Sequence, residues 1–354
     1  MSEIPPRWIL RASRARKRND TPSARAGGPL PALLLALLLG LSACQSSDVE
    51  VGDEERPFTM YFVPSVDAQG IAVSADKVTR YLEYAMSQKL SGGARPFYIE
   101  SAIPTSYIAV VEAFGSNMAD FAALTAFSYI LARDIKGYPV EAFLGVVRGK
   151  DQRTYRGQII THVDSGIDEL EQLQGKKFAF TDPASTAGFV MPSKLFRDLG
   201  IELGEHVFGS KHDVVVTMVY QRQVDAGACY YSPPETTVTA QGDTAIRIRD
   251  AREKVLTQFP DVEEKVKILA LTEAIPNDPW VIRSNLFDDP ARQRAFVDAL
   301  VASLLEYAAT EEGKAALEEL YAISGLARIE DSTFDPLREA IGSSGVELEK
   351  LLGQ

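Results

Sequence analysis

Two hydroxyl residues, Ser185 and Thr186, stand between a short apolar segment and a stretch with helical periodicity. The segment 177–181 has the pattern of a strand, and apolar residues recur at helical spacing from 188 to 199. Hydroxyls at a helix start accept hydrogen bonds from backbone N–H groups that lack partners. Alternatively, those N–H groups and the helix dipole bind an anion. The motif 182–188 therefore predicts a helix cap or an anion site. It contains no Arg or Lys, so we expect neutral donors to bind the anion.

Two more sets of polar residues lie at predicted helix starts. His212 precedes a helix predicted over 213–221, and its imidazole can donate to an oxyanion or simply pack. Thr125 and Ser128 begin another predicted helix and offer a second set of N–H donors. Ligands of open α/β sheets bind beyond the carboxyl ends of strands, a position that Ser185 satisfies.

The motif Asp-Pro-Ala-Ser-Thr-Ala-Gly at 182–188, the Ser-Lys-His-Asp run at 210–213 and the Val-Asp-Ala-Gly-Ala run at 224–228 carry a family resemblance. Together they resemble the phosphate/phosphite/phosphonate-binding periplasmic proteins of ABC importers, from about Met60 to about Leu286. The resemblance implies the α/β, type II periplasmic-binding-protein clamshell, in which two α/β lobes joined by two hinge crossings enclose the ligand. It also implies an extracytoplasmic solute-binding protein that captures phosphate, phosphite or an alkyl phosphonate and delivers it to ABC permease and ATPase subunits.

The family's patterns imply roles for further residues. Its Gly-x-His-Asp pattern matches here with one extra residue, which supports His212 as a ligand residue and lets Asp213 orient the ring or cap the helix. Tyr107 is similar to the tyrosine of a Thr-Asp-Tyr run, and Tyr155 precedes a strand as a ligand-contacting tyrosine does in relatives; either ring can equally pack in a core. Asp278 resembles an Asp-Pro pair of the return crossing and can accept from a protonated oxyanion, or serve as a turn residue.

The sequence departs from the family at one place. Relatives that take aminoalkyl phosphonates carry a carboxylate soon after the Val-Asp strand, and the corresponding position here falls near Ser232, with Glu235 close by. We therefore expect aminoethylphosphonate to bind less tightly than methylphosphonate.

Two other classes of function remain open. A hydrolase needs a nucleophile, a base and an orienting acid, and Ser185, His212 and Asp213 supply these residue types. Asp213 adjoins His212 in sequence, however, and cannot easily sit behind it, and there is no Gly-x-Ser-x-Gly motif. With only two other histidines, His162 and His206, the chain has no metal-ligand cluster, and no cofactor is expected. The second class is a binding protein that serves a sensor kinase or a surface complex.

The first 43 residues predict a lipoprotein signal peptide. Seven basic residues precede an apolar stretch at 30–41, which is too short for a membrane span. The stretch ends in Leu-Ser-Ala-Cys, which looks like a bacterial lipobox and implies that Cys44 is lipidated. The lipid would anchor the protein to a membrane, and the protein would face the periplasm or the cell exterior. The alternative is an uncleaved N-terminal anchor.

The charge balance argues against a nucleic-acid partner. Of the 37 Lys and Arg residues seven precede Cys44, and of the 49 Asp and Glu residues two do, so the remainder carries 30 against 47, a net charge of −17. If Cys44 is lipidated, Cys229 stands alone and should be a buried, inert thiol. We expect a monomer.

The remaining chain must position these residues. Residues 44–56 are polar and acidic, and we expect a flexible tether. Roughly 300 residues follow, a length typical of two lobes. Alternating strand and helix patterns predict parallel sheets covered on both faces, with 57–158 and 270–354 in lobe 1 and 159–269 in lobe 2. The first helix of lobe 1 is expected to begin at Ser74.

Overall fold

The structure is a computed structural model that describes residues 49–238 and 244–343. The predicted signal peptide, Cys44 and the start of the tether lie outside the described residues, as do residues 344–354 of the expected lobe 1.

The described residues form alternating strands and helices. The strands are β1 (Phe58–Phe62), β2 (Ile99–Ala102), β3 (Phe121–Ala123), β4 (Val140–Val147), β5 (Thr154–His162), β6 (Phe178–Phe180), β7 (His206–Phe208), β8 (Ala226–Tyr231), β9 (Glu235–Val238), β10 (Thr244–Arg247), β11 (Val266–Pro276), β12 (Pro279–Arg283) and β13 (Gly325–Arg328). The α-helices are α1 (Ala68–Ser91), α2 (Tyr107–Gly115), α3 (Ala126–Ile130), α4 (Met191–Asp198), α5 (His212–Tyr220), α6 (Val262–Lys265), α7 (Pro290–Ala309), α8 (Glu311–Tyr321) and α9 (Asp335–Ser343). Two π-helical turns, Leu131–Ile135 and Thr186–Val190, and four 3-10 turns, Val163–Ser165, Leu170–Leu173, Ala251–Val255 and Asp331–Phe334, complete the described helical segments.

Two main sheets organise these elements. The six-stranded sheet has the order β13-β4-β12-β3-β1-β2, and the five-stranded sheet has the order β11-β5-β8-β6-β7. We call the parts of the chain built on them lobe 1 and lobe 2. The chain passes from lobe 1 to lobe 2 between β4 and β5, and returns between β11 and β12. The expected pair of crossings is confirmed, whereas the expected boundaries at 158/159 and 269/270 fall inside β5 and β11.

The expected parallel pairing holds for only part of each sheet. In lobe 1, β1 pairs in parallel with β2 and β3, but β12 is antiparallel to β3 and β4. In lobe 2, β6 is parallel to β7 and β8, and β5 is antiparallel to β8 and β11. β5 and β12, the strands by which the chain enters a lobe after each crossing, run against both of their neighbours, because the chain passes directly from one sheet into the other without a covering helix.

Helices cover both faces of the lobe 1 sheet. The strand residues that face α1, α7 and α8 form one buried cluster with them, which includes Phe58, Phe121 and Trp280. A second cluster joins the opposite face, under α2 and α3, to the lobe 2 residues around Phe178 and α4. The outer face of the lobe 2 sheet packs on α5 around Val215. Hydrophobic burial therefore reaches from one lobe into the other on the side of α2, α3 and α4.

Helix α1 and the packed part of the chain both begin at earlier residues than the sequence analysis predicts. Helix α1 starts at Ala68, where the Asp67 carboxylate accepts from two N–H groups of the first turn, and the predicted cap Ser74 is buried inside the helix. The described part of the expected tether is also packed: the Arg56 guanidinium makes two 2.7 Å hydrogen bonds to the fully buried carboxylate of Asp120. A buried carboxylate requires such a partner, which fixes Arg56 on lobe 1.

Two further observations concern the thiol of Cys229 and the capacity of the helices to span a membrane. Cys229 is buried in β8, and burial raises the pKa of its thiol, so the protein keeps it in the unreactive protonated form. Within the ranges 49–238 and 244–343, every helix is too short or too polar to cross a membrane.

Candidate ligand-binding cleft

A cavity of about 60 Å³ lies where the two lobes meet beside the crossings. Its polar lining comes from both lobes: Ser65, Tyr107, Thr125, Arg148, Tyr155, Ser185, His212, Tyr230, Ser232, Arg249, Lys254, Asp278 and Tyr321. Its apolar lining is Val63, Val66, Ala123, Leu124, Val146, Trp280, Leu320 and Ala322. About 10–15 Å³ on this scale admits one water, so the cavity suits a small molecule.

The motif 182–188 folds as a tight turn that opens a helix. The Asp182 carboxylate accepts from the Ala184 N–H at 2.9 Å, and the Ser185 hydroxyl accepts from the Gly188 N–H at 3.1 Å. A Cβ on Gly188 would lie 2.2 Å from the Thr181 hydroxyl, so only glycine fits. The helix begins with a π-helical turn and continues as α4, which brings Ser185 to the cavity. The predicted cap is therefore present, and the same turn faces the cavity.

The start of α3 meets this turn across the cleft. The Phe127 N–H donates to the Thr186 hydroxyl at 2.9 Å, and all atoms of Thr186 are buried. The hydroxyls of Thr125 and Ser128 lie 3.0 and 3.2 Å from the carbonyl oxygen of Ala184. Two of the polar helix starts identified in the sequence thus touch, and Thr186 and Ser128 bond lobe to lobe behind the cavity wall.

Tyr107 contributes a buried donor to the cavity. Its backbone N–H lies 3.4 Å from the Asp182 carboxylate, which adds a further bond between the lobes. Its side chain is fully buried, and its hydroxyl has no hydrogen-bond partner. Burial, and then the nearby Asp182 charge, raise the pKa of Tyr107 well above its usual value, so the hydroxyl stays protonated and can donate.

His212 is held as a neutral ring. Its Nδ1 lies 3.1 Å from the Thr181 hydroxyl, which in turn donates to the Ala228 carbonyl at 3.0 Å. A carbonyl can only accept, so the single hydroxyl proton points to Ala228 and Nδ1–H donates to Thr181. We assign the proton to Nδ1 on this ground, which leaves a lone pair on Nε2. Burial lowers the pKa of His212 to about 3, and the Tyr230 ring packs edge-on against it at 5.0 Å.

The loop before α5 sets the position of His212. Ser210 adopts a left-handed φ of 66°, which accommodates the extra residue in this segment, and the His212 N–H donates to the Ser65 carbonyl at 3.1 Å. Asp213 does not orient the ring, because Thr181 does so and Oδ1 of Asp213 is buried without a partner. Asp213 also lies outside the cavity lining and makes no side-chain cap of α5, so the roles expected for it are corrected.

The two crossings carry a linked group of charges. The Tyr155 hydroxyl donates to Oδ1 of Asp278 at 3.1 Å, and the Arg148 guanidinium donates to Oδ2 at 3.2 Å. The same guanidinium lies 5.2 Å from the centre of the Tyr155 ring and donates to the Asn277 side chain. Burial, with a smaller effect of Asp278, raises the pKa of Tyr155 well above its usual value. Both oxygens of Asp278 therefore have donors from the protein.

A salt bridge also joins the two lobes beside the cavity. The Arg249 side chain is only 4% exposed and binds the Glu318 carboxylate in two-pronged fashion, with the second hydrogen bond at 3.1 Å. It also lies 3.4 Å from the Ala322 carbonyl and 3.8 Å from Glu235. Because Glu318 belongs to α8 of lobe 1 and Arg249 follows β10, this pair links the two lobes. Lys254, which is exposed, borders the cavity nearby.

The structure thus brings most of the predicted residues together. Five of the eight candidates border the cavity, namely Tyr107, Tyr155, Ser185, His212 and Asp278, together with Thr125. Sequence reasoning missed the cations Arg148, Arg249 and Lys254, which border the cavity. These residues lie outside any motif, and only the crossings and the fold bring them to the cleft. Arg148 is paired with Asp278 and Arg249 with Glu318, and the expectation that neutral donors bind the anion stays a prediction. No group of three or more His, Cys, Asp or Glu residues in the described ranges could hold a metal ion.

Two α/β lobes, two crossings and a polar cavity between them define a two-lobed ligand-binding protein. The family described as "ABC transporter, phosphonate, periplasmic substrate-binding protein" matches residues 60–334, and the chain belongs to this family. Membership implies an extracytoplasmic location.

Individual relatives are more distant. The chain is 24% identical over 218 residues to the phosphate-import protein PhnD of Mycolicibacterium smegmatis, covering 57% of this chain and 65% of that protein. It is 26% identical over 218 residues to the phosphonates-binding periplasmic protein of Escherichia coli, covering 60% of this chain and 58% of that protein. The chain therefore matches less than two thirds of the length of either relative.

Solved structures share the fold. A binding protein component of an ABC phosphonate transporter from Pseudomonas aeruginosa superposes with a TM-score of 0.62 at 19% identity, covering 84% of this chain and 97% of that one. PhnD1 from Prochlorococcus marinus, in complex with methylphosphonate, gives a TM-score of 0.64 at 15% identity, covering 81% and 97%. At these identities the likeness concerns the fold alone, and it agrees with the predicted clamshell.

Proposed function

We propose that this protein captures a small phosphorus oxyanion, namely phosphate, phosphite or an alkyl phosphonate, outside the cytoplasm and delivers it to an ABC importer. The observation that carries the proposal is the convergence, on one cavity, of the helix start at Ser185, the unpartnered hydroxyl of Tyr107 and the neutral imidazole of His212. The names of the two curated relatives, one for phosphate import and one for phosphonate binding, point the same way.

The proposed site offers donors and one acceptor. The N–H groups of Thr186 and Ala187, which follow Ser185 at the helix start, and the Tyr107 hydroxyl donate to the charged oxygens of the ligand. The lone pair on Nε2 of His212 accepts from an oxygen that still carries a proton, as in hydrogen phosphonate or hydrogen phosphate. Sulfate has no such proton at neutral pH, so it would set a lone pair against a charged oxygen and bind poorly.

Closure of the lobes is part of the proposed mechanism. The Phe127–Thr186 and Arg249–Glu318 contacts join residues of different lobes, so a movement of the lobes apart at these points would break them. A ligand that bonds to both lobes favours the closed form by its differential affinity. Thr186 and Ser128, which we predicted as ligand residues, would then act partly through closure.

Two functions are alternatives to import, and the geometry of the site argues against only one of them. A hydrolase is disfavoured because the Ser185 hydroxyl accepts from Gly188, Nδ1 of His212 is engaged by Thr181 and Asp213 does not orient the ring. We therefore propose a binding protein and not an enzyme. A protein that presents the same ligand to a sensor would use the same cleft, and the membrane partner that binds the closed form would decide between them.

The proposed form of the protein is a monomeric lipoprotein anchored at Cys44. The lipobox-like sequence supports this, and Cys44→Ser should move the protein from the membrane fraction to the soluble fraction. A variant that stays with the membrane would exclude lipidation of Cys44 as the anchor.

The ligand can be tested by calorimetry with phosphate, phosphite, methylphosphonate, aminoethylphosphonate and sulfate. We expect binding of at least one phosphorus compound, weaker binding of aminoethylphosphonate than of methylphosphonate and no measurable binding of sulfate. Thr186→Val removes the acceptor of the buried Phe127 N–H, which costs about 1–3 kcal/mol and should weaken binding about ten- to a hundredfold.

The matched control is Thr333→Val, at an exposed threonine in a 3-10 turn of lobe 1. It should bind as tightly as the wild type. If no phosphorus compound binds, the proposed ligand class is wrong. If Thr186→Val binds as tightly as the control, the proposed role of Thr186 in closure is wrong.

A further inference from the structure

The charges that line the cavity differ from those of the rest of the protein. After Cys44 the chain carries 30 basic against 47 acidic residues, so its net charge of −17 repels an anion. The lining residues have the opposite balance, because they include one carboxylate, Asp278, and three cations, Arg148, Arg249 and Lys254. An anion that approaches this acidic protein therefore meets cations at the cleft.

Lys254 differs from the other two cations in exposure and in pairing. The side chains of Arg148 and Arg249 are largely buried and are engaged by Asp278 and Glu318. Lys254 lies in a 3-10 turn of lobe 2, is exposed, and has no ion-pair partner among the residues that the structure describes. Its charge is thus open to solvent at the edge of the cavity.

The ion pairs next to this lysine would be negative without it. They comprise two cations and three carboxylates, namely Arg247, Arg249, Glu235, Glu253 and Glu318. Two positive and three negative charges sum to −1, and Lys254 brings the sum to zero. Burial alone would raise the pKa of Glu318, but the bond and the charge of Arg249, with smaller effects of Arg247 and Lys254, hold that pKa below its usual value. Lys254 therefore already acts on an anion at this edge.

We infer that Lys254 is the entrance residue of the cleft, whose ammonium group draws the anionic ligand in and speeds its association. The inference rests on the proposed function, since it concerns how the proposed oxyanion reaches the cavity. A cation at the mouth of a cleft raises the local concentration of an anion and so its rate of entry. A charge at the exposed edge of a site acts mainly on association, whereas buried partners act mainly on release.

The size of the effect follows from the charge that is removed. Two unit charges about 4 Å apart in water interact strongly enough to change a rate about fivefold. Lys254→Gln should therefore slow association about fivefold at an ionic strength of about 0.01 M, where charges act over about 30 Å. Lys254→Glu, which reverses the charge, should slow it about 25-fold. At about 1 M salt, where charges act over about 3 Å, both differences should disappear.

The experiment is stopped-flow mixing of the intact protein with methylphosphonate, phosphite and phosphate in turn. Trp280 borders the cavity and is the only tryptophan after Cys44, so its fluorescence follows binding. Calorimetry gives the affinity, and the rate of release follows from the affinity and the association rate. We expect Lys254→Gln to leave release within about twofold of the wild type.

The matched control is Lys176→Gln, which changes the net charge of the protein by the same amount. Lys176 is exposed in lobe 2 and precedes β6, whereas the turn 182–188 of the cleft follows β6, so the two lie at opposite ends of one strand. This variant should associate at the wild-type rate at both ionic strengths.

Equal association rates of Lys254→Gln and Lys176→Gln at low salt would overturn the inference, because only net charge would then matter. Faster release from Lys254→Gln with unchanged association would also overturn it, because Lys254 would then bond to the enclosed ligand. In both cases a phosphorus oxyanion still binds, and the proposed function stands. If none of the three compounds binds, the proposed function itself fails, and this inference fails with it.

Discussion

Replacing His212 should change how the stability of the protein depends on pH. The ring is 6% exposed, and burial lowers its pKa from the usual 6.5 to about 3. In the unfolded chain the same ring titrates near 6.5. Between these two values the unfolded state binds a proton that the folded state refuses, so the free energy of unfolding falls as the pH falls. The contribution of the neutral ring is complete above 6.5 and declines below it.

The size of the effect follows from the two pKa values. One pKa unit corresponds to about 1.4 kcal/mol, and a buffer at about pH 5 lies about 1.5 units below the unfolded value. The wild type should therefore lose about 2 kcal/mol through His212 between about pH 7.5 and about pH 5. In His212→Asn this contribution is absent, because asparagine does not titrate and its amide can still bond to Thr181.

The assay is urea unfolding at the two pH values, followed by the fluorescence of Trp280. Other groups, including His162, whose pKa burial also lowers, titrate equally in both proteins and cancel in the difference. His206→Asn is the control, because His206 is exposed on β7, and it should follow the wild type. If His212→Asn loses as much stability as the wild type, the ring is not buried in the neutral form, and the acceptor role proposed for Nε2 loses its basis.

Two further variants test the geometry of the cleft. Gly188→Ala should lower the melting temperature and weaken methylphosphonate binding at least tenfold, because its Cβ would displace the Thr181 hydroxyl that holds His212. The control is Gly70→Ala in α1, where a Cβ has free space, and it should change neither quantity. Arg249→Met should weaken methylphosphonate binding about tenfold in calorimetry, because the closed form loses the bond to Glu318. Exposed Arg294→Met is its control, and equal affinities for the two variants would show that the Arg249 contact does not favour closure.

Much of the fold was predictable where local sequence and burial agree. β4 is recognisable in the sequence because its mostly apolar run is bounded by Pro139 and Arg148, and Ser106 has the chemistry of the cap that it forms on α2. The start of α1 was missed because Ser74 has a capping residue's chemistry but a buried position. The antiparallel strands β12 and β13 were also missed, since the direction of a short strand depends on where the chain re-enters the sheet.

The candidate site was predictable to the extent that it lies in motifs. Ser185 and His212 stand next to recognisable strand and helix boundaries, so their positions at the cleft follow from local pattern. Arg148 and Arg249 have no such local signal. Arg148 reaches the cavity because it lies at the first crossing, and Arg249 because the β9–β10 segment returns the chain to the rim of lobe 1. Such residues depend on tertiary structure, and spacing alone cannot identify them.

The hydroxyl residues show a further limit of reading a site from a motif. Ser185 and Thr186 are neighbours in one motif, yet the Ser185 hydroxyl caps its own helix and the Thr186 hydroxyl accepts from Phe127 of the other lobe. A hydroxyl can donate to an oxyanion, and its oxygen can equally accept from the N–H groups of a helix start on the opposite side of a cleft. A two-lobed binding protein needs both kinds of contact, since ligand affinity depends on the stability of the closed form as well as on the bonds to the ligand. Under the proposed function the motif therefore serves both closure and ligand binding, and substitutions within it test the two at the same time.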